Sequence, residues 1–433
     1  MRFADAVADP RRIERQLDRL AARARGRRAD ALAQDGVRFV QLLDDRERVV
    51  ALLSRALADA SYRPGVARVT RAHLGGKIRE LARVGALDLL VHAVVADVLA
   101  SRIEPTLSER VYSYRSGRSA WQALRWLARV AIDHRAERPD PRTRGVYVLR
   151  SDVKSYTDSI PLEDEAPLWR ELAGAAGLEQ TSPHFALVRA LVQPRIQLDD
   201  EADARPRARG VLFGVATTAP IANLYLRPLD DALAARGAYA RFGDDVLFAS
   251  AEPERVREAT ETLRRILAAR GLEANTRKLR VLHWNGAARS SEVWPEAQAT
   301  DAVSFLGAHV RFDGTIALAP AKWTAMLHDV RARIQRTARL VEGEPPMERA
   351  KVLVSIVEQA FDVRSDLALA HAPMLVDLVS NRAQLRQLDH LLALWIAEAV
   401  TGERGPRAFR AMPPRRLREA GLASRVVARN RGL

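Results

Sequence analysis

Apolar positions recur at helical spacing through residues 1–60, where Ala and Leu are interleaved with Arg and Asp, which predicts an N-terminal helical extension. The pattern then changes. Residues 66–84 read as a hairpin around Leu74-Gly75-Gly76, with Lys77 and Arg79 on its return strand. Strand residues two apart share a face, so this pair points one way and suits a triphosphate clamp. Helices are predicted over 85–104 and 119–134, then a Pro- and Arg-rich loop at 136–145 and a β-rich apolar run, Val146–Val153. Helical runs near 163–175 and 183–193, a polar loop at 196–209 and a Gly210 loop follow. A strand pair over Tyr239–Ala249 and an amphipathic helix over 253–270 complete the middle of the chain. Beyond a turn at Asp313-Gly314, residues 320–402 are helical and 403–433 form a basic tail. The succession strand, helices, hairpin, helix, strand predicts an α+β fold: an antiparallel sheet with helices on one face. Boundaries are expected at 1–60, 61–145, 146–310, 311–402 and 403–433.

Composition narrows the partners. The net charge of +15 calls for a polyanion, and nucleic acid is the obvious one. Only five of the 69 basic residues are lysine (77, 154, 278, 322 and 351), so a lysine marks a place where a compact ammonium matters. With no cysteine there is no disulfide, zinc knuckle or thiol nucleophile, and the nine histidines show no close metal-binding pair. Residues 1–20 lack an apolar signal core, and the run from Val84 to Ala100 is broken by Asp88, His92 and Asp97. A cytoplasmic protein without membrane contact is expected.

The candidate chemistry sits at Tyr239-Ala-Arg-Phe-Gly-Asp-Asp-Val-Leu-Phe-Ala249, a predicted hairpin with Asp244 and Asp245 at its tip. Adjacent carboxylates repel unless they share a cation, and Mg²⁺ favours such hard oxygens together with substrate phosphates. Three other Asp-Asp pairs, at 44–45, 199–200 and 230–231, lack strand-like sequence on both sides and read as solvated charge. Asp152 ends the run Val146-Tyr-Val-Leu-Arg-Ser-Asp-Val153. Beside the hairpin it would complete a three-carboxylate site for two metals, the arrangement that activates a 3′-hydroxyl and stabilises leaving pyrophosphate. Gly75-Gly-Lys77 is not a P-loop, since the earlier glycine spacing and the following Ser or Thr are missing.

In this order the blocks resemble the reverse transcriptases of bacteria, closest in layout to those of group II introns, over roughly residues 60–310. Asp152–Ile160 resembles the first catalytic palm motif and Arg241–Asp245 the aromatic-x-Asp-Asp hairpin. Gly210-Val-Leu-Phe-Gly-Val-Ala-Thr-Thr-Ala-Pro-Ile-Ala-Asn-Leu-Tyr-Leu226 resembles the Gly-rich loop running into a helix. Tyr112-Ser-Tyr-Arg-Ser-Gly-Arg-Ser119 resembles the fingers segment Tyr-Gly-Phe-Arg-Pro-Gly-Arg-Ser. Gly271–Lys278 and Ser304-Phe-Leu-Gly307 resemble the last palm motif and the primer grip.

The resemblance implies a right-hand polymerase fold, with fingers at 61–145, palm at 146–310 and helical thumb at 311–402. It implies an RNA-directed DNA polymerase using two Mg²⁺ ions held by Asp152, Val153, Asp244 and Asp245, with Lys278 donating a proton to pyrophosphate. Lys77, Arg79, Arg115, Tyr156, Thr157, Phe213 and Gly214 would meet the substrate. The partners implied are an RNA template, a DNA or RNA primer, a cognate structured RNA and dNTPs. Two positions depart from the family. Leu212-Phe213 replaces the usual Pro-Gln, and Thr157 stands where a bulky aromatic normally excludes a ribose 2′-hydroxyl, with Tyr156 one place earlier. A palm-type nucleotidyl cyclase and a non-catalytic RNA-binding maturase are the alternative readings. The motifs do not choose between intron, retron, diversity-generating element and antiviral defence, although the retron Val-Thr-Gly is absent after the primer grip.

Overall fold

The helix Ala86–Ile103 is apolar on nearly every side, the signature of a helix enclosed by protein. In the computed structural model, which describes residues 1–23, 36–74, 77–140, 144–199, 203–362, 365, 368–369 and 378–427, its Leu90, Val91, Val94, Val95 and Leu99 are fully buried. The polar residues that interrupt it are all satisfied. Asp88 accepts from Tyr62 Oη (2.7 Å) and the Gly65 amide, His92 Nδ1 meets Thr217 Oγ1 at 2.9 Å, and Asp97 pairs with Arg12. Among the described residues no helix is long and apolar enough to cross a membrane.

The chain forms two units, one from residues 1–119 and 148–281, the other from 120–147 and 282–433. In the first, the expected N-terminal helices appear as Phe3–Val7, Pro10–Arg23, Phe39–Asp44 and Arg46–Ala58. Strands β1 (Ala67–Leu74) and β2 (Lys77–Arg83) pair antiparallel, with Leu74 opposite Lys77. The turn residues Gly75 and Gly76, and the side chains of Lys77 and Arg79 that the triphosphate clamp requires, lie outside the described residues. With β3 spanning Val146–Asp152, the supposed loop at 196–209 proves to carry β4 (Arg195–Leu198), parallel to β1, and β5 (Arg205–Pro206), antiparallel to β4. Leu212 and Val215 of the Gly210 loop bury themselves against this sheet with Ala67, Val69, Ile196 and Leu198.

The hairpin strands β6 (Ala238–Phe242) and β7 (Asp245–Ser250) flank β3, and β8 (Arg280–Trp284) lies on its other side, giving the order β6-β7-β3-β8. Helix Pro253–Ala269 buries Val256, Ala259, Leu263 and Leu267, the apolar stripe read from the sequence.

In the second unit β8 is continued by β9 (Gln298–Thr300), and a meander joins β10 (Ala302–Phe305), β11 (Ala308–Arg311) and β12 (Ile316–Leu318). Helix Ala120–Glu137, expected with the fingers, belongs to this unit. Helices Pro320–Leu340, Pro346–Phe361 and Arg382–Thr401 enclose a core of Val330, Leu353, Val357, Leu388, Leu392 and Ile396. The segment after residue 402 is no separate tail as far as it is described. Helices Pro406–Ala411 and Pro414–Glu419 place Ala408, Met412 and Leu417 in that same core.

Candidate active site

Asp152 is the last residue of β3 and is 4% exposed. Its Oδ2 accepts from Lys278 Nζ at 2.5 Å, while Oδ1 is buried without a hydrogen-bond partner. A buried carboxylate oxygen without a donor is costly, so a site that keeps one is built for something else to meet it. Lys278 sits in a turn whose Lys278 and Leu279 amides donate to the Asn275 carbonyl, and the Asn275 amide donates in turn to the Asp152 carbonyl (2.8 Å). The Asp152 carboxylate holds the Lys278 ammonium above its ordinary value.

The predicted hairpin is present. Phe242 closes opposite Asp245, leaving Gly243 and Asp244 as a two-residue turn, with Gly243 at φ +65°, a region that suits glycine. The Asp244 carbonyl accepts from the Val153 amide at 3.1 Å, which ties the turn to the end of β3. Burial, and next the charge of Asp244, push the Asp245 carboxyl up to about 6; Arg150 and Lys278 work against this. Arg150 and Asp152 are two apart on β3 and therefore share a face, a relation that sequence reading could have extracted from the strand period. Among the described residues no three carboxylate, imidazole or thiol groups stand close enough to enclose an ion as they lie. The fit to a divalent cation rests instead on the partnerless Asp152 Oδ1 and on the crowding of like charge at Asp245. Val153 can offer only its backbone, since its side chain is 1% exposed and its amide is engaged.

The substrate residues divide. Phe213 is 38% exposed, and its carbonyl accepts from the Ala82 amide (2.9 Å), which stitches the Gly210 loop to β2. Gly214 has φ +108°, and a Cβ there would stand 3.3 Å from the Ala82 carbonyl. Leu212 is core, so of the two residues replacing Pro-Gln only Phe213 faces outward. The Thr157 carbonyl accepts from the Val211 amide (2.8 Å), bringing the first motif and the Gly210 loop together.

Two assignments are corrected. The Arg115 side chain is 9% exposed and donates to the Ser108 and Val111 carbonyls (2.7 and 3.2 Å) and to Glu104, so it braces its own loop rather than a substrate. Tyr156 is 4% exposed and its hydroxyl donates to the Ala222 carbonyl at 2.5 Å, which makes it a core residue. It lies in a helical turn, Tyr156–Ser159, entered through Ser155 at φ +45°.

The largest omission is Asp230, read as solvated but fully buried and paired with Arg241. Leu226 and Leu233, four residues before and three after, lie one helical turn away on the same apolar face, and that spacing is the available signal. In the second unit, Phe305 is core, and Leu306 and Gly307 form the turn from β10 to β11 at φ +50° and +81°.

A family model described as reverse transcriptase (RNA-dependent DNA polymerase) matches residues 76–310, more than half of the chain. A search of curated protein sequences finds no match. Among solved structures, the chain is similar to an apo telomerase from Candida tropicalis truncated at its C-terminal domain, with 10% identity and a TM-score of 0.43. That alignment covers 58% of this chain and 55% of the telomerase, so the chain spans little more than half of its length. A Candida albicans telomerase in complex with a TWJ fragment of telomeric RNA gives 11% identity and a TM-score of 0.43, over 83% of this chain and 62% of that one. A further apo Candida tropicalis telomerase gives 8%, 0.46, 82% and 68% for the same quantities.

Proposed function

Since the chain belongs to the reverse transcriptase (RNA-dependent DNA polymerase) family, we propose that it extends a primer on an RNA template by two-metal nucleotidyl transfer. As a member it carries the nucleotidyltransferase domain of RNA-directed DNA polymerases, with the mixed helix-and-sheet polymerase fold. The match takes in the fingers segment and the Gly210–Leu226 block, neither of which a cyclase needs.

The observation that carries the proposal is Asp152: a strand-end carboxylate with one oxygen buried and unmet, on the strand next to the Asp244–Asp245 hairpin. Asp152, Asp244 and Asp245 would hold two Mg²⁺ ions, with the Val153 carbonyl available beside them. Bound there, the ions would activate the primer 3′-hydroxyl and neutralise the leaving pyrophosphate. The chain supplies the rest. Lys278, kept protonated by Asp152, holds a proton within reach of the phosphates and can pass it to the leaving oxygen. Phe213, fixed to β2 through its carbonyl, would meet the nucleotide, and Gly214 lets the loop lie close against the Ala82 carbonyl.

The biological assignment follows the motif layout: a bacterial, group II intron-like enzyme of the cytoplasm. It would act on dNTPs and a primer with a cognate structured RNA.

Asp244→Asn removes one proposed ligand without touching phosphate contacts elsewhere. Mg²⁺-dependent primer extension should vanish, while RNA affinity in a filter-binding titration stays within about threefold. A folded mutant that extends primers at the wild-type rate would overturn the metal assignment.

A further inference from the structure

Strand alternation puts Tyr239 and Arg241 on one face of β6, and both are 0% exposed. On helix Arg227–Ala234, Asp230 is equally buried and receives both: Arg241 Nε and Nη2 donate to its two oxygens at 2.6 and 2.7 Å, and Tyr239 Oη donates at 2.7 Å. The guanidinium does not stop there. Its Nη1 donates to the Gly243 carbonyl at 3.0 Å, inside the turn that carries Asp244. The Gly243 amide donates to Ser113 Oγ at 2.8 Å, and Ser113 is locked to Asn223, whose Nδ2 donates to the Ser113 carbonyl at 2.8 Å. Asn223 Oδ1 also accepts from Arg241 Nη1 at 3.3 Å, which closes the network.

Stability does not explain such a pair. Two charges withdrawn from water gain little net energy, and apolar residues of similar volume commonly serve as well. What an apolar pair lacks is a donor for the Gly243 carbonyl. That donor matters because nothing lies within 4 Å of where a Gly243 Cβ would be, so no neighbouring group presses on the turn from that side. These hydrogen bonds and the Val153–Asp244 link fasten it. Adjacent carboxylates repel, and a turn held only by its strands would let them splay.

We propose that the buried Arg241–Asp230 pair, acting through the Gly243 carbonyl, sets where Asp244 and Asp245 stand relative to Asp152, so that Arg241 is a positioning residue of the active site. The inference rests on the polymerase reading above. Lysine at 241 keeps the charge but cannot grip Asp230 with a fork and reach Gly243 at once.

The test titrates Mn²⁺ onto protein free of nucleic acid, read by electron paramagnetic resonance, alongside steady-state extension with Mg²⁺. For Arg241→Lys, Mn²⁺ affinity should fall about tenfold or more and kcat about a hundredfold, with nucleotide KM and primer–template Kd within about threefold of wild type. Ser113→Ala strands no charge, so it stays folded if Arg241→Lys does not, and it should move Mn²⁺ affinity and kcat the same way by a smaller factor. Wild-type Mn²⁺ binding and kcat in Ser113→Ala, or in a folded Arg241→Met/Asp230→Leu protein, would overturn the proposal. The two readings separate cleanly. If the wild type binds Mn²⁺ but extends no primer, and the variants still lose Mn²⁺, positioning stands and the polymerase reading falls. If the wild type extends primers and the variants match it, the reverse holds.

Discussion

Asp245 is placed where its own charge is least welcome: burial and the neighbouring Asp244 raise its carboxyl from 3.8 to about 6. A carboxyl raised on folding holds its proton longer in the native than in the unfolded chain. Stability therefore falls as pH climbs from about 4 through about 6, by up to about 3 kcal/mol. Asp245→Asn should consequently raise the melting temperature at pH 8 in chelator, with the gain disappearing near pH 4, and should abolish extension. A mutant no more stable than wild type at pH 8 would show that Asp245 is not strained. Residue by residue, the sugar gate also changes. Tyr156 is anchored to the Ala222 carbonyl inside the core and cannot swing under an incoming sugar, which leaves the small Thr157 at the position where a bulky ring normally stands. Thr157→Phe should raise the ratio of dNTP to rNTP incorporation on one primer–template, and Tyr156→Phe should leave it unchanged while lowering stability by about 1 kcal/mol. A ratio that responds to Tyr156→Phe and not to Thr157→Phe would reverse the assignment.

Helix Ala86–Ile103 meets the Gly210 block through a polar contact of His92 with Thr217, and burial holds the His92 imidazole down to about 4. The unfolded chain takes up a proton near 6.5 and the native one does not until about 4. That stability is complete above about 6.5 and lost as pH falls through this window, about 3 kcal/mol in all. His92→Gln should flatten the dependence of denaturant midpoint on pH between 6.5 and 4; an unchanged slope would place the acid sensitivity elsewhere. How legible each element was depends on where its partners lie. The Asp244–Asp245 hairpin could be read because its turn glycine and flanking apolar residues are local, and the Val146–Asp152 strand for the same reason. Strand β4 could not, since four residues become a strand only by pairing with β1, far away in sequence. Asp230 escaped notice because an Asp-Asp pair looks solvated until the buried arginine is found eleven residues on, and Arg115 because a motif fixes a position without naming its partner. Tyr156 reads as substrate-facing in the sequence because nothing there announces that Ser155 takes the αL conformation and turns the chain from strand into helix.

For the molecule as a whole, the +15 charge predicts RNA binding whose logarithm falls linearly with log salt, the slope counting roughly the phosphates met. Deleting 403–433 should shallow that slope without removing catalysis. Because Ala408, Met412 and Leu417 are part of the second unit's core, truncation at 402 should also lower the unfolding free energy, and the denaturant midpoint with it, by an amount typical of several lost core side chains, about 2 kcal/mol or more for each large one. Equal midpoints for full-length and truncated protein would show those contacts to be dispensable. The two units also share the chain in alternation: the first is opened by residues 1–119 and finished only by 148–281, and the second is begun by 120–147 and finished by 282–433. On the ribosome, then, neither unit can close early. The opening 119 residues must wait until residue 281 has left the exit tunnel, by which time a piece of the other unit is already outside, unaccompanied. The first unit is complete only at residue 281 and the second later still, so a nascent chain stalled anywhere before residue 281 holds no finished unit.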